Sequence, residues 1–84
     1  MKYTLEITSS AQRQFKKLPQ TFQDYIIPEI LSLEIQPRPV GVKKLQAFDS
    51  YRIRVGDYRV IYSIDDKSHI VKILDLGHRK DVYR

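Results

Sequence analysis

Arginine is the chemically loaded residue of this chain, and its spacing is the first clue. Residues 51–62 read YRIRVGDYRVIY, with Arg52 and Arg54 before a Gly56-Asp57 pair and Arg59 after it. Two runs of alternating apolar residues joined by such a pair form a tight hairpin. A two-residue turn sets Val55 against Tyr58 and Arg54 against Arg59. Alternation then puts Arg52, Arg54 and Arg59 on one face. Like charges directly opposed across a strand pair are destabilising, where a good pair contributes roughly 0.2–1 kcal/mol. No acidic residue of the hairpin offsets them, because Asp57 sits in the turn, and Asp75 is expected to point to the other face. Arginine on a solvated strand face is common, and its stem can cover apolar surface. Yet local violations of folding rules concentrate at functional sites. The guanidinium fork matches phosphate oxygens and keeps its charge at any relevant pH. Several forks around one phosphate would stabilise the extra negative charge of a phosphoryl-transfer transition state.

The end of the sequence supplies partners for that chemistry. The segment GHRKDVYR (77–84) brings Arg79, Lys80 and Arg84, and a Lys43-Lys44 pair lies in the central linker. Together they tip the balance towards a phosphate-binding surface, with Lys43, Lys44 and Lys80 as substrate-binding candidates. Tyr83 can donate or accept a proton, and His78 is the other possible proton carrier of that segment. Arg52, Arg54, Arg59, Arg79, Tyr83 and His78 would suffice for RNA cleavage without a metal. A 2′-hydroxyl attacks the adjacent phosphate, arginines stabilise it, and proton carriers serve both oxygens. DNA lacks that hydroxyl, so the reaction selects RNA. His69 is a weaker candidate, expected as an exposed strand residue. The sequence contains no Walker loop, no HExxH and no Cys/His spacing for a metal. Its carboxylates are scattered, which argues against a two-carboxylate nuclease centre. No metal and no cofactor are expected.

These residues need a frame. YTLEIT (3–8) alternates and reads as a half-buried strand. Residues 9–18 change period, with Ala11, Phe15 and Leu18 on one helical face and Ser9 or Ser10 available as the cap. Residues 19–35 carry Phe22, Ile26, Ile30 and Leu33 at helical spacing, with a kink expected at Pro28. Residues 36–50 hold two prolines and a glycine and read as an extended connection. Strands follow at about 51–56, 58–65 and 69–76, the last two joined by DDKS. The core face carries Tyr51, Ile53, Val55, Tyr58, Val60, Tyr62 and Ile64. Pairing Ile64 with His69 sets Val60 against Ile73 and Tyr62 against Val71, with Lys72 and Leu74 on the arginine face. The sum is an α+β fold: an N-terminal strand, two helices, then an antiparallel three-strand meander in one small sheet.

Composition bounds the class. The chain has 84 residues, which suggests a single domain over 1–84, and a net charge of +5. Its hydrophobic content of 42% and charged content of 30% suit a folded globule rather than a disordered tail. The sequence pI of about 9.6 favours an anionic partner. The absence of cysteine excludes a disulfide framework and thiolate metal sites. No apolar run approaches the about 18 residues of a membrane span, and the N-terminus lacks a signal-peptide core. A cytoplasmic protein without a membrane partner is expected.

The stretch KKLQAFDSYRIRVGDYRVIYSI followed by LDLGHRKDVYR resembles the RelE/ParE superfamily of toxins, and within it the RelE branch of messenger-RNA interferases. The likeness runs from YTLEIT through the FKKL helix and the PRPVGVKKL linker to the final tyrosine. It implies a compact sheet with two N-terminal helices and a ribosome-dependent messenger-RNA endonuclease. It also implies a cognate antitoxin that wraps and silences the toxin. Residues carried over are Arg52 and Arg54 before the turn, Arg59 after it, and Arg79 and Tyr83 in the tail. Well-studied relatives have lysines at the two positions before the turn, one of them a candidate general base. Arginine does not readily release its proton, so either the base role passes to Tyr83 or His78, or the arginines act only electrostatically and the ribosome supplies the geometry; the reading favoured here is Arg52 acting electrostatically and a role shared by Tyr83 and His78. A small basic toxin should attract an acidic, partly disordered antitoxin that folds on binding. The alternatives are a ParE-like inhibitor that binds DNA gyrase, and an inactive basic binding module on the same fold.

Overall fold

The computed structural model describes residues 2–46 and 50–78. Strand β1 (Thr4–Ile7) leads into helices α1 (Ser9–Lys16) and α2 (Gln20–Ser32). Strands β2 (Lys43–Leu45), β3 (Ser50–Val55), β4 (Tyr58–Asp65) and β5 (Ile70–His78) follow. The α+β expectation holds, with one sheet of five strands in the order β1-β5-β4-β3-β2. The β1–β5 pair is parallel and the other pairs are antiparallel. The sheet is wider than the expected meander, because β2 pairs with β3 inside what reads as a structureless connection. Three residues are too few to show a period.

The helices cover one sheet face. Ile26, Ile30 and Leu33 of the α2 segment are buried against Ile53, Val60 and Tyr62. α1 is capped by Thr8 and not by Ser9 or Ser10. The Thr8 hydroxyl oxygen accepts from the Ala11 amide at 3.1 Å. Its own amide still donates to the Ile73 carbonyl at 3.0 Å, so Thr8 is the last residue held by the sheet and the helix turns from there. Pro28 lies inside α2, which continues to Ser32.

The β3–β4 hairpin has the expected register: Val55 opposes Tyr58, Arg54 opposes Arg59 and Ile53 opposes Val60. Gly56 adopts φ 62°, a left-handed value that glycine takes without a Cβ penalty. The β4–β5 register differs from the expectation in two ways. His69 is not a strand residue; it sits at φ 56° in the turn, edge-on to the Tyr3 ring with 5.0 Å between centroids. The turn therefore takes up more chain, and Ile64 pairs with Val71 rather than His69. A bulge then intervenes: Tyr62 opposes Ile73, while Ile61 opposes Asp75. Leu74 is the extra residue, and a bulge re-aims the side chains that follow it. Asp75 consequently falls on the arginine face and Leu76 in the core, the reverse of the expected orientation for Asp75.

The linker is held at the far end of the sheet. Arg38 donates to both Asp66 oxygens, at 3.3 and 2.9 Å, and its Nε donates to the Tyr51 hydroxyl at 3.3 Å. Tyr3 donates to Asp66 at 2.7 Å. These bonds, Arg38 first, hold the Asp66 carboxyl down from its usual 3.8 to about 2. A depressed carboxylate stabilises the fold above its unfolded value and loses that contribution as pH falls through the folded value. The melting temperature of Asp66→Asn is therefore expected to lie below that of wild type at neutral pH. The gap should close as the pH falls from 3.8 to about 2. Thermal melts across that range check this, and the effect is modest because the ion pair is exposed.

Candidate functional site

The face opposite the helices carries the basic cluster. In-register pairs line up Lys43, Arg52, Ile61 and Asp75 across β2, β3, β4 and β5. The next row holds Arg54, Arg59 and Gly77. Paired residues share a face, so Lys43, Arg52, Arg54 and Arg59 converge there with Asp75 diagonal to Arg59. Arg54 and Lys43 are exposed. Arg59 keeps only 2% of its surface and Arg52 only 8%. Burying a guanidinium is costly unless it is engaged; both of these have an interaction, although the buried Nε and Nη1 of Arg59 have no hydrogen-bond partner among the described residues. They are therefore built into the sheet, unlike ordinary surface arginines. Gly77 at the end of the second row adds no side chain beside Arg59.

Two candidates lie elsewhere. His78 opposes Tyr58, which places it on the helix side of the sheet. Its ring meets Tyr58 edge-on at 5.6 Å, and Tyr58 in turn packs on Phe22 at 4.8 Å. His78 and Tyr58 line a cleft of about 360 Å³ with Gln14 and Lys17, across the sheet from the arginines. Lys44 opposes Tyr51 and holds its Nζ 5.9 Å from that ring, also away from the cluster. Both positions follow from alternation: each is one residue removed from a member of the arginine face. Arg79, Lys80 and Tyr83 lie outside the described residues. Among the described residues, no group of three or more His, Cys, Asp or Glu could hold a metal ion.

Asp75 is the residue that sequence reasoning misplaced. Its Oδ1 is buried and has no hydrogen-bond partner among the described residues. A signal was present in ILDL (73–76): strict alternation from Ile73 would sink an aspartate into the core and expose Leu74 and Leu76. A bulge resolves that conflict.

Comparison with known proteins places the fold and the family. The family model for the ParE toxin of the type II toxin–antitoxin system parDE matches residues 5–83. Toxin RelG of Mycobacterium tuberculosis is 33% identical over 87 residues, covering 100% of this chain and 99% of that protein. The mRNA interferase toxin RelE of Escherichia coli is 25% identical over 83 residues, covering 95% of this chain and 86% of that protein. Among solved structures, a chain of the archaeal RelE–RelB complex from Pyrococcus horikoshii superposes with a TM-score of 0.83 at 35% identity, covering 94% of this chain and 97% of that one. The RelBE2 toxin–antitoxin complex of M. tuberculosis gives a TM-score of 0.82 at 30% identity, covering 94% and 100%. No helix among the described residues is long and apolar enough to cross a membrane. The matches run through both helices as well as the basic hairpin, and the chain therefore belongs to the RelE/ParE superfamily of type II toxin–antitoxin toxins, on its RelE-like branch.

Proposed function

We propose that this chain is a ribosome-dependent endoribonuclease that cuts translated messenger RNA by attack of a 2′-hydroxyl on the adjacent phosphate. The observation that carries the reading is the shared face of Lys43, Arg52, Arg54 and Arg59, with Lys43 and Arg54 exposed and Arg52 and Arg59 buried beside them. Fixed guanidinium groups of this kind stabilise developing charge without reorganising. The reaction needs no metal, because the arginines supply the positive charge. Arg79 and Tyr83 complete the site on the strength of the family resemblance. The name of the E. coli relative, an mRNA interferase, points to the same chemistry.

A cognate antitoxin is the proposed inhibitor, since relatives of this fold are found in toxin–antitoxin complexes. An acidic chain that orders on binding complements the +5 charge. Ile27, Leu31 and Ile35, exposed apolar residues in and just after α2, are surface that such a chain would cover.

The family model bears the ParE name, which favours one rival reading, a gyrase inhibitor that acts by binding. Tightly controlled induction in a bacterial host, with mapping of new messenger-RNA 5′ ends, separates the two. Codon-phased ends confined to translated regions are expected. Intact transcripts together with DNA damage and a gyrase defect would overturn the ribonuclease reading.

A further inference from the structure

We propose that a cleft at the open edge of β3 takes a nucleobase of the messenger beside the cut, and that Glu29 sets which base is preferred. The assignment rests on the ribonuclease reading above. Strand β2 pairs with β3 only from Ser50 to Arg52. Upstream of Lys43 the chain turns away, through Gly41 at φ 89° and a turn in which the Val42 amide donates to the Pro39 carbonyl at 3.1 Å. Among the described residues, Ile53, Arg54 and Val55 therefore have no strand beside them on that edge. The gap is a cleft of about 240 Å³, lined by Glu29 and Ser32 of α2, the Pro39–Gly41 turn and β3 from Arg52 to Arg54. Its rim faces solvent, since Glu29, Ser32, Val40, Gly41 and Arg54 are all exposed. Nothing stands within 4 Å of the place a Cβ would take on Gly41.

The strand pairing gives this cleft a reading edge. In an antiparallel pair, residues that exchange both backbone bonds alternate with residues that exchange none. The two-residue turn makes Val55 and Tyr58 a bonded pair, so Arg54, opposite Arg59, turns its N–H and C=O away from β4. Both groups point to the open edge, and among the described residues no backbone bond outside the sheet pairs takes them up. A donor and an acceptor side by side match the Watson–Crick edge of an unstacked base, the feature by which proteins read single-stranded RNA. Pro39 and Val40 give the flat side of a base an apolar wall. The Arg54 side chain belongs to the phosphate-binding face, so a phosphate held there has its own base beside the cleft.

Glu29 decides the occupant. Its carboxylate repels a phosphate group or an acidic peptide and leaves an uncharged base as the fitting guest. Glu29 and Ser32 are neighbours on the surface of α2. The Ser32 hydroxyl donates to the Glu29 carbonyl at 2.7 Å, which leaves its oxygen as an acceptor. A carboxylate only accepts. The helix wall of the cleft therefore suits the amino group of cytosine, adenine or guanine, as carboxylates elsewhere accept from cytosine N4. Uracil has no amino group to offer.

The test is single-turnover cleavage on ribosomes programmed with messengers that differ in one base, varied in turn on each side of the scissile phosphate. At one of the two positions, wild type is expected to cut the uracil messenger about 5- to 100-fold more slowly than the cytosine messenger, the discrimination of one good base contact. Glu29→Gln, whose amide can accept or donate, and Glu29→Ala should both bring that ratio to within about twofold of one. Both changes fall on an exposed helix position, and antitoxin capture should be unchanged. A wild type indifferent to uracil at both positions would overturn the assignment, as would variants that keep the wild-type ratio. Equal slowing on every messenger would also overturn it, by giving Glu29 a role that is not base selection. Altered antitoxin capture with an unaltered base ratio would make the cleft a peptide site instead. A wild-type protein that leaves every messenger intact would overturn the ribonuclease reading, and this assignment with it.

Discussion

Arg59→Ala is expected to slow cleavage on programmed ribosomes by about 100- to 1,000-fold, the cost of deleting one fixed donor to developing charge. Growth arrest on induction should disappear. Three features make this position the most sensitive of the cluster. Arg59 lies on β4, flanked by β3 and β5, it opposes Arg54, and its side chain is almost fully buried. A guanidinium packed this way is pre-oriented by burial, whereas exposed Arg54 must be fixed by the substrate itself. Arg59→Lys keeps the charge but loses the planar fork, so it should fall between wild type and Arg59→Ala. Arg79→Ala is expected to match Arg59→Ala in abolishing growth arrest. Antitoxin capture and a cooperative melt must be retained for either loss to count as chemical. Toxicity persisting in both variants would end the assignment of the site.

The largest effect on stability is expected at Tyr62. This side chain is fully buried, its ring lies 6.0 Å from that of Tyr51, and its hydroxyl donates to the Pro37 carbonyl at 2.7 Å. Burial pushes the phenol up to about 12, so it stays a donor at any working pH. Truncating a buried aromatic to alanine costs about 3–5 kcal/mol. Small domains have only about 0.05–0.15 kcal/mol of net stability per residue. Tyr62→Ala should therefore leave a large fraction of molecules unfolded. Tyr62→Phe keeps the ring and gives up one hydrogen bond, for about 1 kcal/mol. Urea melts of the two variants should separate the hole from the hydrogen bond. Equal losses would show that the linker contact, and not the packing, dominates.

The parts of the site legible in the sequence are those governed by local rules. Gly56-Asp57 fixes the hairpin register, and with it the shared face of Arg52, Arg54 and Arg59. Apolar spacing gives both helices and most of their buried residues. What was illegible depends on exceptions to periodicity. The left-handed His69 lengthens a turn, and Leu74 bulges a strand. Together they shift the β5 register, and the bulge turns Asp75 over. His78 was grouped with the arginines because it is close in sequence to Arg79. Strand alternation, applied to the observed register, puts it on the other side. β2 was missed because its pairing with β3, and not any pattern of its own, makes it a strand.

The parallel pairing of β1 with β5 bears on the order in which the molecule assembles. Thr8 and Leu74, which meet at that seam, stand 66 residues apart along the chain. The hairpin and the two helices join near neighbours, while this seam must close a loop that spans most of the protein. Loop-closure entropy makes such contacts late to form. The basic hairpin can thus fold early. The seam, with the bond from the Thr8 hydroxyl to the Leu74 carbonyl beside the bulge, closes last. Amide protection should accordingly rise first in β3 and β4 and last in β1 during refolding. A molecule caught before that closure would already hold its arginines in register.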